Sequence, residues 1–355
     1  MAVAVLAVRS AMTPTSPRWL PGGHAQTIWA AKLSRSHLGP PPRYRRERWT
    51  TPDGDFVDAD WLADPVGSAS GAATAGTERP LLALFHGLEG SSRSHYALAF
   101  ADWARRHGWA YAVPHFRGCS GELNRAPRAY HSGDHVEVGW MLAQLRARHH
   151  GPIAAVGVSL GGNALLRWAQ EAGDAAGRSV QAVAALCSPI DLMASGRCIG
   201  EGLNRWIYTP MFLRTMKPKA LAKLAQHPGL FDADRLRAAR TIEAFDDAFT
   251  APLHGFRGVQ DYWRRASALP QLHRLRLPTL LLNTGNDPFV PAASLPDPAA
   301  SDERLTIWRP ASGGHVGFPG GPFPAQVLGL PQAVMGWMTS RMALPMSGGP
   351  AASPR

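Results

Sequence analysis

Between residues 81 and 190, short apolar runs alternate with amphipathic stretches in a regular rhythm. Leu81 to Phe85 is apolar throughout and ends in His86-Gly87. Beyond it Tyr96, Phe100, Trp103 and His107 recur at the spacing that places them on one helical face. Trp109 to Pro114 (WAYAVP) predicts the next strand, and Val138, Met141, Leu142 and Leu145 predict a second amphipathic helix. Ile153 to Val158 (IAAVGV) is again wholly apolar; helical Leu160 to Gln170 and strand-like Val180 to Cys187 follow. Short apolar strands separated by helices predict a mostly parallel sheet covered on both faces. The expected fold class is α/β.

The rhythm breaks after residue 190. Residues 195–268 carry helical patterns and few strand-like runs, as an inserted helical cap would. Strand-like runs return at Thr279 to Asn283 (TLLLN) and Arg304 to Trp308 (RLTIW), and Pro324 to Met342 predicts a closing helix. One domain over residues 18–342 is expected, with a core of about 42–194 and 269–342 and a cap of about 195–268. Residues 1–17 read as an N-terminal extension, Asp64 to Pro80 as a low-complexity loop, and 343–355 as a disordered tail.

Composition narrows the function classes. With 45% apolar residues among 355, the chain can bury a sizeable core. The net charge of +11 comes from 33 Arg against 4 Lys, but the arginines are scattered. Their one dense patch, Arg43, Arg45, Arg46 and Arg48, alternates with Tyr44, Glu47 and Trp49 as an edge strand would, where charge deters aggregation. No nucleic-acid partner is expected; the basic balance allows at most a weak association with a lipid or membrane surface. Cys119, Cys187 and Cys198 match no disulfide framework and no zinc spacing. No apolar run reaches the roughly 18 residues of a membrane span. Residues 1–8 lack the basic start of a signal peptide, so a cytoplasmic location is expected.

The most informative segment is Gly157-Val158-Ser159-Leu160-Gly161-Gly162. It follows a buried strand and opens a helix, the context that makes G-x-S-x-G a nucleophile elbow. A serine on so sharp a turn needs neighbours without side chains, and Gly157 and Gly161 supply them. A serine hydroxyl also needs a base and a carboxylate, in the order Ser, Asp or Glu, His. Asp287 follows the TLLLN strand and His315 follows the RLTIW strand, at the strand ends where open α/β sheets gather function. Ser159 is expected to attack, His315 to move the proton and Asp287 to fix the imidazole. The oxyanion donors are expected to be the N–H groups of Leu160 and of Leu88, in the His86-Gly87-Leu88-Glu89-Gly90 loop.

Several motifs together resemble a known family. They are Pro21-Gly22-Gly23-His24-Ala25-Gln26-Thr27-Ile28-Trp29, HGLEGSSRSHY (86–96), HFRGCSGELNRAPRAYHSG (115–133), GVSLGGNALLRW (157–168), EAFDDAFTAPLHGF (243–256) and NDPF (286–289). The match runs from about residue 18 to about 340 and is similar to the AB hydrolase 4 family, the YheT-type α/β hydrolases and their ABHD relatives. The resemblance implies an α/β-hydrolase fold and a carboxylester hydrolase with Ser159, Asp287 and His315 as its triad. It also implies relatives that act on acylglycerols or phospholipids, or that transfer acyl groups to alcohols. Two departures stand out: the run Asp134-His135-Val136-Glu137-Val138, and Gly22-Gly23 where asparagine-glycine is common.

The remaining residues receive structural readings. His24 reads as structural, Cys119 as a buried or rim thiol, and Asp246-Asp247 as capping or solvated charge. Arg117 is expected to orient Glu122 or Asp134. His131, Asp134 and His135 can be drawn as a metal site, but Gly133 interrupts it and a serine hydrolase needs neither metal nor cofactor. Trp206, Ile207, Tyr208, Met211, Phe212 and Leu213 are expected to line an apolar acyl pocket. The reading is a serine hydrolase of short-chain acyl or small lipid esters, with an acyltransferase using the same triad as the alternative. Acyl length and oligomeric state are not legible.

Overall fold

The computed structural model describes residues 16–63 and 78–342. Most of the low-complexity stretch, nearly all of the N-terminal extension and the whole C-terminal tail read above lie outside them. Eight strands form one sheet: β1 (Tyr44–Thr50), β2 (Phe56–Leu62), β3 (Leu81–Phe85), β4 (Ala110–Pro114), β5 (Ile153–Val158), β6 (Ala182–Leu186), β7 (Thr279–Leu282) and β8 (Leu305–Trp308). Their order is β1-β2-β4-β3-β5-β6-β7-β8, antiparallel from β1 through β2 to β4 and parallel from there on.

Because side chains alternate along a strand, each parallel strand feeds two cores. Leu81, Ala83, Phe85, Ile153 and Ala155 pack on one face with Val138, Met141, Leu142, Leu145, Leu165 and Leu166. Helix α3 (His135–Arg148) and helix α4 (Leu160–Ala172) cover that face. Leu82, Leu84, Ala154, Val156 and Val158 pack on the other with Phe100, Trp103, Val334 and Met338. These come from α2 (His95–Arg106) and α10 (Gly329–Arg341), while α1 (Gly23–Lys32) precedes the sheet.

Two elements depart from the sequence pattern. The closing helix starts at Gly329 rather than at Pro324. Ala325 has φ of 68°, and Gln326 pairs with both Gly320 and Arg35, so this segment is tied down as a loop before α10 begins. The acidic strand β2 is buried because its register puts Asp60 opposite Arg46 and Asp58 opposite Arg48, at 2.7 and 2.8 Å. Arg48 also reaches Glu122 at 2.7 Å. Cross-strand pairing thus neutralises much of the one dense basic patch.

Between β6 and β7 the chain folds into helices: α5 (Leu192–Ile199), α6 (Gly202–Gln226), α7 (Ala233–Ala238) and α8 (Ile242–Phe245). The last runs through a π turn at Asp246–Thr250, and α9 (Val259–Ala266) closes the group. Leu213, Leu236, Ile242, Phe245 and Phe249 form a separate apolar cluster within it.

Burial sets the pH range of stability. His86, His95, His131, His149 and His254 are all pushed down by desolvation, His95 to about 4 and both His86 and His254 to about 3. Among the described residues, only two buried carboxyls, Asp246 and Glu137, are pushed up. As pH falls through 6.5 the unfolded chain therefore binds more protons than the folded one, and stability is lost by about 1.4 kcal/mol per excess proton per pH unit. Thermal unfolding between pH 7.5 and 5 should show a steadily falling Tm; a flat or rising profile contradicts this balance.

Candidate active site

The order β4-β3-β5 places a topological switch point between β3 and β5, where open α/β sheets form a crevice. Phe85 pairs with Gly157, so the loops leaving both strands emerge side by side. Ser159 sits between β5 and α4 with φ 53° and ψ −121°, a conformation that costs a non-glycine residue on the order of 1–3 kcal/mol. Glycine neighbours are required there. A Cβ on Gly157 would lie 2.5 Å from the Gly161 carbonyl oxygen, and one on Gly161 would lie 2.4 Å from that of His86.

The three residues picked out from motifs converge. The Ser159 hydroxyl lies 2.9 Å from His315 Nε2, and His315 Nδ1 lies 2.8 Å from Asp287 Oδ2. Asp287 Oδ1 accepts the N–H groups of Phe289 at 2.8 Å and Val290 at 3.2 Å. Those bonds leave Oδ2 for the imidazole. With Nδ1–H donating to the carboxylate, Nε2 is left to accept the serine proton.

The HGLEG loop is fixed on either side of Leu88. Gly87 N–H donates to the Tyr96 hydroxyl at 2.9 Å, and Glu89 N–H donates to that of Tyr130 at 3.0 Å. His86 is buried and held neutral, and its Nε2 accepts the Phe116 N–H at 3.1 Å. Among the described residues, neither the Leu88 nor the Leu160 N–H is given to another acceptor, and both residues line the same cavity as Ser159 and His315. Two free donors beside a nucleophile can bind a developing oxyanion.

What motif reading missed is the brace behind the histidine. Helix α1 carries the GGHAQT segment against the back of the two strand-end loops. Thr27 Oγ1 accepts the His315 N–H at 2.8 Å, and Gln26 Oε1 accepts both the Gly313 N–H and the Asn286 side-chain amide at 2.9 Å. Gly23 is needed for this contact, since a Cβ there would lie 1.8 Å from the Asn286 carbonyl oxygen. His24 stacks on Tyr208, which meets Phe289, whose ring lies 4.4 Å from that of His315. Only tertiary contacts show this role; the segment's distance in sequence from Asp287 and His315 conceals it. Thr27→Val removes the acceptor and keeps the shape. Steady-state kinetics should show kcat down about tenfold with KM little changed, because an unpaired buried N–H costs about 1–3 kcal/mol. An unchanged kcat contradicts the brace.

Several expectations need correction. Arg117 reaches neither Glu122 nor Asp134. It turns toward the β1–β2 turn and α3, holding Asp55 at 2.7 Å, Asp53 at 2.9 Å and Glu137 at 2.6 Å. Asp134 instead caps α3 and pairs with Arg128 at 2.6 Å. Asp247 does act as a surface polar group, accepting Val259 N–H and pairing with Arg235. Asp246 does not: it is buried, accepts from Thr250 and Trp263, and desolvation pushes it up to about 6. Of the six residues expected to line an acyl pocket, only Phe212 does. Trp206, Ile207 and Met211 face solvent, Leu213 joins the cluster between β6 and β7, and Tyr208 packs on Phe289. The lining is Leu192, Ile199, Met216, Ile242, Phe245 and Phe249 instead.

The drawn metal set does not assemble. His131 packs on His254 and Tyr262, while Asp134 is committed to its helix cap and to Arg128. Among the described residues, the group close enough to share an ion is Cys187, Asp287 and His315, with ligand atoms within 4.8 Å. Two of these three already bond to each other. Cys119 is a thiol that burial pushes up to about 12, so it stays protonated.

Residues 80–322 match the model of the alpha/beta hydrolase fold family. YheT of Escherichia coli (strain K12), whose name assigns it provisionally to the esterases, is 38% identical over 89% of this chain and 90% of its own length. The chain belongs to the α/β-hydrolase family. Within that family, the Homo sapiens protein named phospholipase ABHD3 is 27% identical over 87% of this chain and 74% of its own. Among solved structures, the Pyrococcus furiosus esterase Pf2001 superposes with a TM-score of 0.51 at 14% identity. The superposition covers 88% of this chain and 98% of that one, a likeness of fold. No helix among the described residues is long and apolar enough to cross a membrane.

Proposed function

We propose that this α/β hydrolase is a serine carboxylester hydrolase acting on short-chain acyl or small lipid esters. The observation that carries the reading is the unbroken hydrogen-bonded line from Ser159 through His315 to Asp287. As Ser159 Oγ attacks the ester carbonyl carbon, its proton passes to His315 Nε2, and Asp287 stabilises the imidazolium. The carbonyl oxygen becomes an oxyanion held by the N–H groups of Leu88 and Leu160. Collapse of the tetrahedral intermediate breaks the ester C–O bond; the alcohol leaves with the proton from Nε2, and an acyl-Ser159 remains. Water then repeats the sequence, giving its proton to Nε2 and releasing the acid.

The helices between β6 and β7 act in this reading as a cap over the acyl group. The cavity beside Ser159 measures about 150 Å³ and is lined largely by apolar side chains. An engineered apolar cavity of that size takes up benzene, so a short or compact acyl group fits within it and a longer chain would have to extend beyond it. The names of the relatives agree with ester substrates. A series of p-nitrophenyl esters tests the claim: kcat/KM should peak at short acyl chains and fall by about tenfold or more at long ones, as each methylene is worth about 1 kcal/mol or more in a fitted pocket. A rate that climbs with chain length, or no turnover of any ester, contradicts it.

A further inference from the structure

Helix α6 has two apolar faces, and only one of them is needed to build the cavity. Phe212, Met216 and Ala220 line the space beside Ser159. On the other side Leu203, Trp206, Ile207 and Met211 are 62%, 76%, 41% and 42% exposed. Their spacing of three, one and four residues puts all four on a single stripe of the helix. Scattered exposed hydrophobes are ordinary; a contiguous stripe with a tryptophan at its centre marks a surface that meets something.

The charges around the stripe say what. Arg197, Arg205 and Arg214 are exposed beside it, and among the described residues none of the three forms an ion pair. Arg205 lies 5.7 Å from the Trp206 ring centroid. Glu201 is the acidic group on the same segment. By contrast, Arg46 and Arg48 on β1 are matched to buried aspartates, so this rim is not merely a sample of the chain's general basicity. A second copy of the chain is disfavoured as occupant, because two such faces meeting about a twofold axis bring like charges together.

We propose that the outer face of α6 docks on an anionic lipid bilayer, with Leu203, Trp206, Ile207 and Met211 at the boundary of headgroups and acyl chains and the three arginines against lipid phosphates. This surface would set the cap, and the cavity beneath it, against a lipid interface. It stands independently of the chemistry at Ser159.

The test uses the full chain carrying Ser159→Ala, so that lipid cleavage does not enter, sedimented with mixed phosphatidylcholine–phosphatidylglycerol vesicles and with pure phosphatidylcholine vesicles. Partitioning should favour the mixed vesicles by about tenfold or more and weaken with added salt. Trp206→Ser with Ile207→Ser should lower it by about tenfold. Arg205→Gln with Arg214→Gln should lower it about fivefold per arginine. In the Ser159 background the same substitutions should leave turnover of a soluble short-chain ester unchanged, which checks that the fold is intact. Equal partitioning to both vesicle types, or binding untouched by the paired substitutions, overturns the proposal. So does a dimer in analytical ultracentrifugation that Trp206→Ser dissolves while vesicle binding is absent; that result gives the face to a second copy.

Discussion

Ser159→Ala is expected to lower kcat for a short-chain p-nitrophenyl ester by about 10⁴- to 10⁶-fold with the fold intact, the scale on which nucleophile knockouts act in serine hydrolases. The loss has a structural reason beyond the missing oxygen. Ser159 occupies a left-handed turn (φ 53°) that leads into α4, and its hydroxyl is bonded to His315 Nε2 at 2.9 Å. Alanine meets the same backbone cost with no compensating chemistry, so stability should change little while turnover collapses. Residual activity well above background would mean that another group attacks, and Cys119 and Cys187 are poor candidates because burial holds both thiols protonated. Circular dichroism and Tm alongside the kinetics separate lost chemistry from lost fold.

Asp287→Asn should cost about 10⁴-fold in kcat, or about 5.5 kcal/mol of barrier, with binding nearly unchanged. Geometry dictates the direction of the defect. Oδ1 of Asp287 is engaged by the amides of Phe289 and Val290, so the asparagine must keep its carbonyl oxygen there. Its NH₂ group then faces His315 Nδ1, where Asp287 Oδ2 now accepts at 2.8 Å. Nδ1 becomes the acceptor, the proton moves to Nε2, and Nε2 can no longer take the proton of Ser159. Activity should partly return as pH rises and hydroxide competes, whereas a merely structural role for Asp287 would lower Tm without moving the pH profile. A loss under tenfold at neutral pH contradicts this assignment.

The parts of the molecule that the sequence made legible share one property: their signals are local. The run IAAVGV, the serine turn and the helix after it are contiguous, and the serine turn, the chain order Ser, Asp, His and strand-end position together singled out Asp287 and His315, which the structure brings to hydrogen-bond distance. Continuous apolar runs and helical spacing likewise located the strands from β3 onward and the buried faces of α2 and α3. What was not legible depends on partners far away in the chain. FVDADWL looks half polar until Arg46 and Arg48 are set opposite its aspartates. Arg117 had acidic neighbours close in sequence, yet its side chain turns to Asp53 and Asp55. The apolar residues of α6 occupy both sides of the helix, so the run from Trp206 to Leu213 could not say which of its members face Ser159, and of the six expected only Phe212 does. Asp246 reads as surface charge by composition, and only the folded chain buries it against Trp263.

The central claim is that Ser159 forms a covalent acyl intermediate with His315 as its base. The most direct measurement is peptide mass spectrometry after brief exposure of the purified full-length protein to a fluorophosphonate. The adduct should map to Ser159 alone, vanish in Ser159→Ala and form far more slowly in His315→Ala. An adduct on another residue, or undiminished labelling of Ser159→Ala, would contradict it.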